Sequence, residues 1–204
     1  MILLIDNFDS FTYNLQDYLK RKGHVVKTIR YNNFNLSELK ELNLSGIVIS
    51  PGPGKPTDYP KHYKLFSKKL NQLPVLGVCL GFQSIATYYG GKLSKGTKPM
   101  HGKISKVFHN QKAMFKGIDS PTEVTRYHSL IINELPKNLD AIANTIDNEL
   151  MAFRSKNNLI WGVQFHPEAH LTTFGDTMIM NWLNVVDSFK KHQIQHKEQL
   201  HVVK

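Results

Sequence analysis

The stretch LPVLGVCLGFQ, Leu73 to Gln83, holds the one cysteine of the chain, Cys79. The apolar run Pro74 to Val78 reads as a buried strand. The following GFQSIATYYGG reads as a short helix closed by glycines. Gly77 and Gly81 each stand two residues from Cys79, which gives the pattern G-x-nucleophile-x-G between a strand and a helix. In that setting a sharp turn lifts the side chain out of the sheet. The flanking glycines leave room where a Cβ would clash, and the next N–H, that of Leu80, points toward the same space as the sulfur. The helix N-terminus adds positive potential that favours a thiolate. A buried structural cysteine is the commoner fate of a lone thiol. The two glycines and the strand-to-helix context argue against it here.

Working outward, the first half alternates strand and helix. MILLID (1–6) is a buried strand. SFTYNLQDYLKRKG carries Phe11, Leu15, Tyr18 and Leu19 at helical spacing, with Ser10 as N-cap and Gly23 as stop. HVVKTIRY is a second strand, LSELKEL a short helix, GIVIS a third strand and YPKHYKLFSKKL an amphipathic helix. This alternation predicts an α/β fold with a parallel sheet covered by helices on both faces. The second half reads as short β runs with little helix: GKISKVFH, TEVTRYHS, LDAIANT, ELMAFRSK and LIWGVQFHP. A mixed or antiparallel part is expected there. FGDTMIMNWLNVVDSFKKH is a long last helix. The expected division is one domain over 1–192 and a basic, flexible tail over 193–204.

The 204 residues carry a formal charge of +10 and a single cysteine. One cysteine makes no internal disulfide. The basic residues are scattered and are not interleaved with aromatics as a stacking surface would require, so nucleic acid is not an expected partner. No apolar stretch reaches the length of a membrane span, and no signal-peptide pattern opens the chain; a cytoplasmic protein is expected. DNFDSFTYN after the first strand has no glycine for a pyrophosphate, and there is no Walker loop.

A cysteine nucleophile needs a base. VQFHPE supplies His166 at the end of an apolar strand, and Glu168 two residues on would share its face and fix its tautomer. Metal binding is the rival reading of HPEAH. Pro167 and the missing Glu of an H-E-x-x-H site weigh against it, so no metal is expected. The SPGPG turn, Ser50 to Gly54, follows a strand expected beside that of Cys79, and its N–H groups can serve an oxyanion. Gln83 lies one helical turn after Cys79, placed to hydrogen-bond a substrate over the sulfur.

PGPG, GVCLGFQ and QFHPE, in this order and separation, resemble class I (triad) glutamine amidotransferases. LIDNFDSFTYN, MHGK (100–103) and TRYHSL (125–130) are similar to the small subunits of anthranilate synthase and 4-amino-4-deoxychorismate synthase. The resemblance covers Met1 to about Leu183. It implies an open, mostly parallel, flavodoxin-like sheet. It implies Cys79 as nucleophile with His166 and Glu168 completing a triad. It further implies Gly52, Pro53 and Gly54 as the oxyanion and glutamine loop, with the Leu80 N–H completing the oxyanion hole. Gln83, Ser129 and Leu130 are implied as substrate contacts. The implied reaction is hydrolysis of L-glutamine through a thioester. Ammonia then passes to a chorismate-using synthase subunit, in a heterodimer or heterotetramer. No cofactor is expected in this chain, and Mg²⁺ only in the partner. Phe82 stands where many relatives have His or Met, and AHLT follows HPE where relatives usually show a serine. The competing readings are a free-standing cysteine hydrolase, a nucleic-acid-binding module and a non-catalytic docking subunit.

Overall fold

Ile2–Asp6 forms β1 and Val26–Arg30 forms β2, with helix α1, Thr12–Arg21, between them. Gly46–Ile49 is β3, Pro60–Lys69 is α2, Val75–Val78 is β4 and Leu80–Tyr88 is α3. These elements belong to a computed structural model. It describes residues 1–202 except 38, 40, 41, 70 and 71, with 69 and 196–202 described by backbone alone. Residues 38, 40 and 41 of the short helix expected over 36–42 therefore fall outside the described residues.

β1, β3, β4 and Ile160–Val163 (β11) are buried along their whole length. Continuous apolar runs of this kind belong to parallel strands covered on both faces. β2, β1, β3, β4 and β11 lie side by side in that order, and each adjacent pair is parallel. The alternation of side chains then splits the core. Ile2, Leu4, Val48, Leu76 and Val78 pack under α1 and under α4, Gly175–Val202, whose Met178, Ile179, Trp182, Leu183 and Val186 are buried. Leu3, Ile5, Ile47, Ile49 and Val75 pack under α2 and α3, with Leu65, Phe66, Phe82 and Ile85. Phe82 is fully buried and stacks on Phe153 at 4.8 Å, so it fills the core behind the elbow.

Beyond β11 the sheet continues antiparallel through Leu150–Ser155 (β10), Leu139–Thr145 (β9), Lys103–His109 (β6) and Thr122–Arg126 (β7). The mixed second half expected from sequence is this extension. A separate antiparallel pair, Lys92–Lys95 (β5) with Leu130–Glu134 (β8), has no counterpart in the sequence reading. KLSK is polar and carries one apolar residue, too little for a strand pattern.

Two local expectations change. The residue capping α1 is Phe11, not Ser10, and it makes no side-chain cap. The loop is organised instead by Asp6, whose Oδ1 accepts from Phe8 N, Asp9 N and Thr12 Oγ1, and by Asp9, which accepts from Phe11 N. The last strand ends at Val163, short of His166. Pro167 has no N–H for a ladder, so the chain turns at this point. α4 carries the described backbone through 193–202 as continuous helix.

The sheet order reverses at β1, which has β2 on one side and β3 on the other. Crevices at the carboxyl ends of strands next to such a switch point are where open α/β sheets bind ligands. Asn7, Ser50 and Cys79 follow β1, β3 and β4 directly.

Candidate active site

Cys79 sits between β4 and α3 with φ 51° and ψ −99°. This left-handed conformation is strained for a residue with a Cβ, by about 1–3 kcal/mol. Its neighbours enforce it. Cys79 N–H donates to Val163 O at 2.8 Å, and Cys79 O accepts from Gln83 N at 3.0 Å. The helix then passes over the sheet at a distance that only glycine permits. A Cβ on Gly81 would lie 2.4 Å from Ile49 O, and one on Gly77 would lie 2.6 Å from the Gly81 backbone. Leu80 opens α3, where the first N–H groups have no intrahelical acceptor.

The Ser50–Gly54 loop is held beside this turn by a buried polar lattice. Asn7 N–H donates to Ser50 Oγ, and Asn7 Nδ2 to Ser50 O, both at 2.9 Å. Tyr59 OH donates to Pro53 O at 3.0 Å. With the Asn7 amide nitrogen committed to Ser50, Asn7 Oδ1 accepts from His62 Nε2 at 3.0 Å, and His62 Nδ1 accepts from Ser84 Oγ at 3.3 Å. This neutral His62 is fully buried, and burial lowers its pKa to about 3.

Gly52, Pro53, Gly54, Cys79, Leu80, Gln83, Ser129 and Leu130 line one cavity of about 160 Å³, together with Tyr127 and His128. The residues read from sequence as the loop, elbow and substrate contacts thus meet at one place, although they come from distant parts of the chain. Gln83 differs in detail from the expectation. Its Nε2 donates to Leu130 O and to Gln164 Oε1, each at 3.1 Å, so its amide oxygen is the group left for a ligand.

His166 and Glu168 meet in the turn after β11 and not along a strand. Nδ1 of the ring lies 2.7 Å from Glu168 Oε1, and both side chains are buried. His166 N–H donates to Thr125 O on β7, and Thr172 Oγ1 donates to His166 O. Phe11 and Tyr127 pack their rings against the imidazole at centroid distances of 5.8 and 5.0 Å. Burial disfavours the imidazolium. The Glu168 carboxylate and the neighbouring Cys79 outweigh burial, so the pKa of the ring stands well above 6.5. Nε2 is buried and makes no hydrogen bond among the described residues.

Across the cavity, His128 Nδ1 donates to Leu130 O at 2.9 Å, and its Nε2 accepts from Arg126 Nε at 3.1 Å. Arg126 is paired with Glu149. Burial, then the Arg126 charge, lower the His128 pKa to about 3. Asn7, His62, Gln164 and the Arg126–Glu149 pair escaped the sequence reading. For Asn7 and Gln164 a signal existed: each is a polar residue directly after a fully buried strand, on the edge that carries Cys79.

Compared with known families, residues 3–186 match the family described as glutamine amidotransferase class-I. The chain belongs to that family. This amidotransferase is similar to anthranilate synthase component 2 of Pyropia yezoensis, at 45% identity over 90% of this chain and 98% of the relative. It is similar to aminodeoxychorismate synthase component 2 of Escherichia coli K12, at 41% identity over 90% of this chain and all of the relative. It is also similar to the aminodeoxychorismate/anthranilate synthase component 2 of Bacillus subtilis, at 40% identity over 95% of this chain and all of the relative. Among solved structures, it resembles a Thermoplasma acidophilum protein provisionally assigned as a GMP synthase subunit. That match has a TM-score of 0.84 and 27% identity, over 94% of this chain and 96% of the other. Among the described residues no helix is long and apolar enough to cross a membrane.

Proposed function

We propose that this amidotransferase hydrolyses L-glutamine at Cys79 and delivers the ammonia to a chorismate-using synthase subunit. The observation that carries the reading is the cavity. It sets a strained, forward-aimed cysteine beside a buried His–Glu pair and beneath a backbone loop, in a chain whose relatives are named as second components of such synthases.

In this reading the Cys79 proton resides on His166, whose raised pKa suits it to hold one. The sulfur forms a bond to the side-chain carboxamide carbon, Cδ, of glutamine while the carbonyl π pair moves onto oxygen. The Leu80 N–H and the Gly52–Gly54 loop receive that charge, at about 3 kcal/mol per preorganised donor. The C–N bond breaks, and His166 gives its proton to the departing nitrogen, which leaves as ammonia. Water, deprotonated by His166, attacks the thioester and releases glutamate and the thiolate. Glu168 keeps the ring in the tautomer that places Nε2 toward the sulfur. Gln83 Oε1 and the Ser129–Leu130 backbone orient the amino acid.

The chain itself uses no cofactor in this account, and Mg²⁺ belongs to the partner. Exposed aromatic rings follow two of the segments that build the site: Phe8 and Tyr13 come after β1, and Phe174 comes after Glu168. Exposed apolar residues around a functional cleft suit a docking surface for the synthase. The cavity residues serve either aminated product of chorismate, because that chemistry takes place in the partner.

Cys79→Ala in the assembled complex tests the proposal. Glutamine-dependent product formation should fall by several orders of magnitude, while product made from free ammonia persists. Retained glutamine-dependent activity would overturn it.

A further inference from the structure

Gln164 follows β11, is fully buried, and places its side-chain nitrogen 3.7 Å from Cys79 Sγ. Which end of a glutamine amide faces a sulfur is normally ambiguous. Here the surroundings decide it. Leu130 C=O is a backbone acceptor and cannot exchange roles. It lies 3.1 Å from one end of the Gln83 amide, so that end is the nitrogen. The same nitrogen lies 3.1 Å from one end of the Gln164 amide, which must then be the oxygen. Reversing Gln164 would set two NH₂ groups face to face in a buried site. The remaining end of Gln164, its NH₂, is the one that meets the sulfur. The acceptor that starts this chain is itself fixed. Leu130 O also receives His128 Nδ1–H, and His128 is locked by Arg126, which Glu149 neutralises.

We infer that Gln164 is a further catalytic residue, an amide donor that stabilises the Cys79 thiolate and is oriented by Gln83 and the Leu130 carbonyl. The amide transfers no proton and does not compete with His166 for one. Its N–H···S⁻ bond is strongest when the sulfur carries full charge. That is the case before attack on glutamine and again when the thiolate is expelled from the thioester. Hydrogen bonds to charged groups are roughly twice as strong as neutral ones.

The inference rests on Cys79 being the nucleophile, so its test reads the thiol without glutamine turnover. The full chain is alkylated with iodoacetamide across a pH series, as parent, Gln164→Leu and Gln164→Met. Both substitutions remove the donor and leave the surrounding titratable groups in place: His166, Glu168, His128 and Tyr127. The alkylation profile of the variants should move to higher pH, with reaction about tenfold slower at pH 7 and rates converging where the thiol is fully ionised. Gln83→Met, which frees the Gln164 amide to reorient, should shift the profile in the same direction by less. A folded Gln164→Leu or Gln164→Met chain whose profile superimposes on the parent's overturns the inference. A misfolded variant is recognised by alkylation as fast as that of the urea-unfolded chain, and the other variant then decides. If glutaminase survives Cys79→Ala, the proposed function itself falls. If Cys79→Ala is dead and the Gln164 profiles match the parent's, only the role of Gln164 falls.

Discussion

Replacing Glu168 by glutamine keeps the shape of the side chain and removes its charge. The Glu168 oxygen lies 2.7 Å from His166 Nδ1, and both side chains are at most 2% exposed, so solvent screens the pair weakly. With the charge centres about 4 Å apart and an effective dielectric near 20, the carboxylate stabilises the imidazolium by about 4 kcal/mol. The amide retains a hydrogen bond of about 1 kcal/mol. The remaining loss of about 3 kcal/mol corresponds to a ~10²-fold fall in glutaminase kcat with the partner present. KM should change little, because Glu168 does not line the cavity. Glutamate release measures the rate. The same pair gives a pH signature. The folded-state pKa of His166 lies above its unfolded value near 6.5, so its stabilisation is complete below pH 6.5 and is lost as pH rises through the folded value. Stability of the parent against urea should therefore fall on the alkaline side, and Glu168→Gln should flatten that slope. A variant within threefold of the parent in kcat would refute the reasoning.

His62 acts on the opposite side of the pH scale. Its folded pKa near 3 lies below the unfolded 6.5, so stability is intact above 6.5 and falls by about 1.4 kcal/mol per unit as pH drops toward 3; His62→Gln should reduce that slope in acid unfolding curves. Gly81→Ala forces a Cβ to 2.4 Å from Ile49 O, a backbone atom that cannot step aside, and should cost about 1–3 kcal/mol, read as a lower Tm despite the better helix propensity of alanine. Tyr59→Phe removes the hydrogen bond to Pro53 O and should cost about 1 kcal/mol in urea unfolding. Truncation after His192 should leave Tm within about 2 °C, because Phe189, which packs partly buried against the core, is retained and Ile194 is half exposed.

The strand–elbow–helix unit was legible because its signals are local: an apolar run, two glycines and a helical period within eleven residues. The parallel half followed from the same kind of pattern, since strands buried on both faces read as uninterrupted apolar runs. The β5–β8 pair was not legible, because each strand is short and its partner lies far along the chain. The His166–Glu168 contact was anticipated on strand periodicity, yet it arises from the turn that Pro167 imposes. The lattice of Asn7, Ser50, Tyr59 and His62 spans three segments, and only the fold reveals that these polar side chains satisfy one another.

The measurement that bears most directly on the central claim is mass analysis of the chain quenched in acid during glutamine turnover. A γ-glutamyl adduct should appear on the peptide that contains Cys79, and it should be absent from Cys79→Ala. The adduct should accumulate further in a variant whose thioester hydrolysis is slowed. An active enzyme that shows no adduct on Cys79 under these conditions, or one that carries the adduct on another residue, would contradict the account.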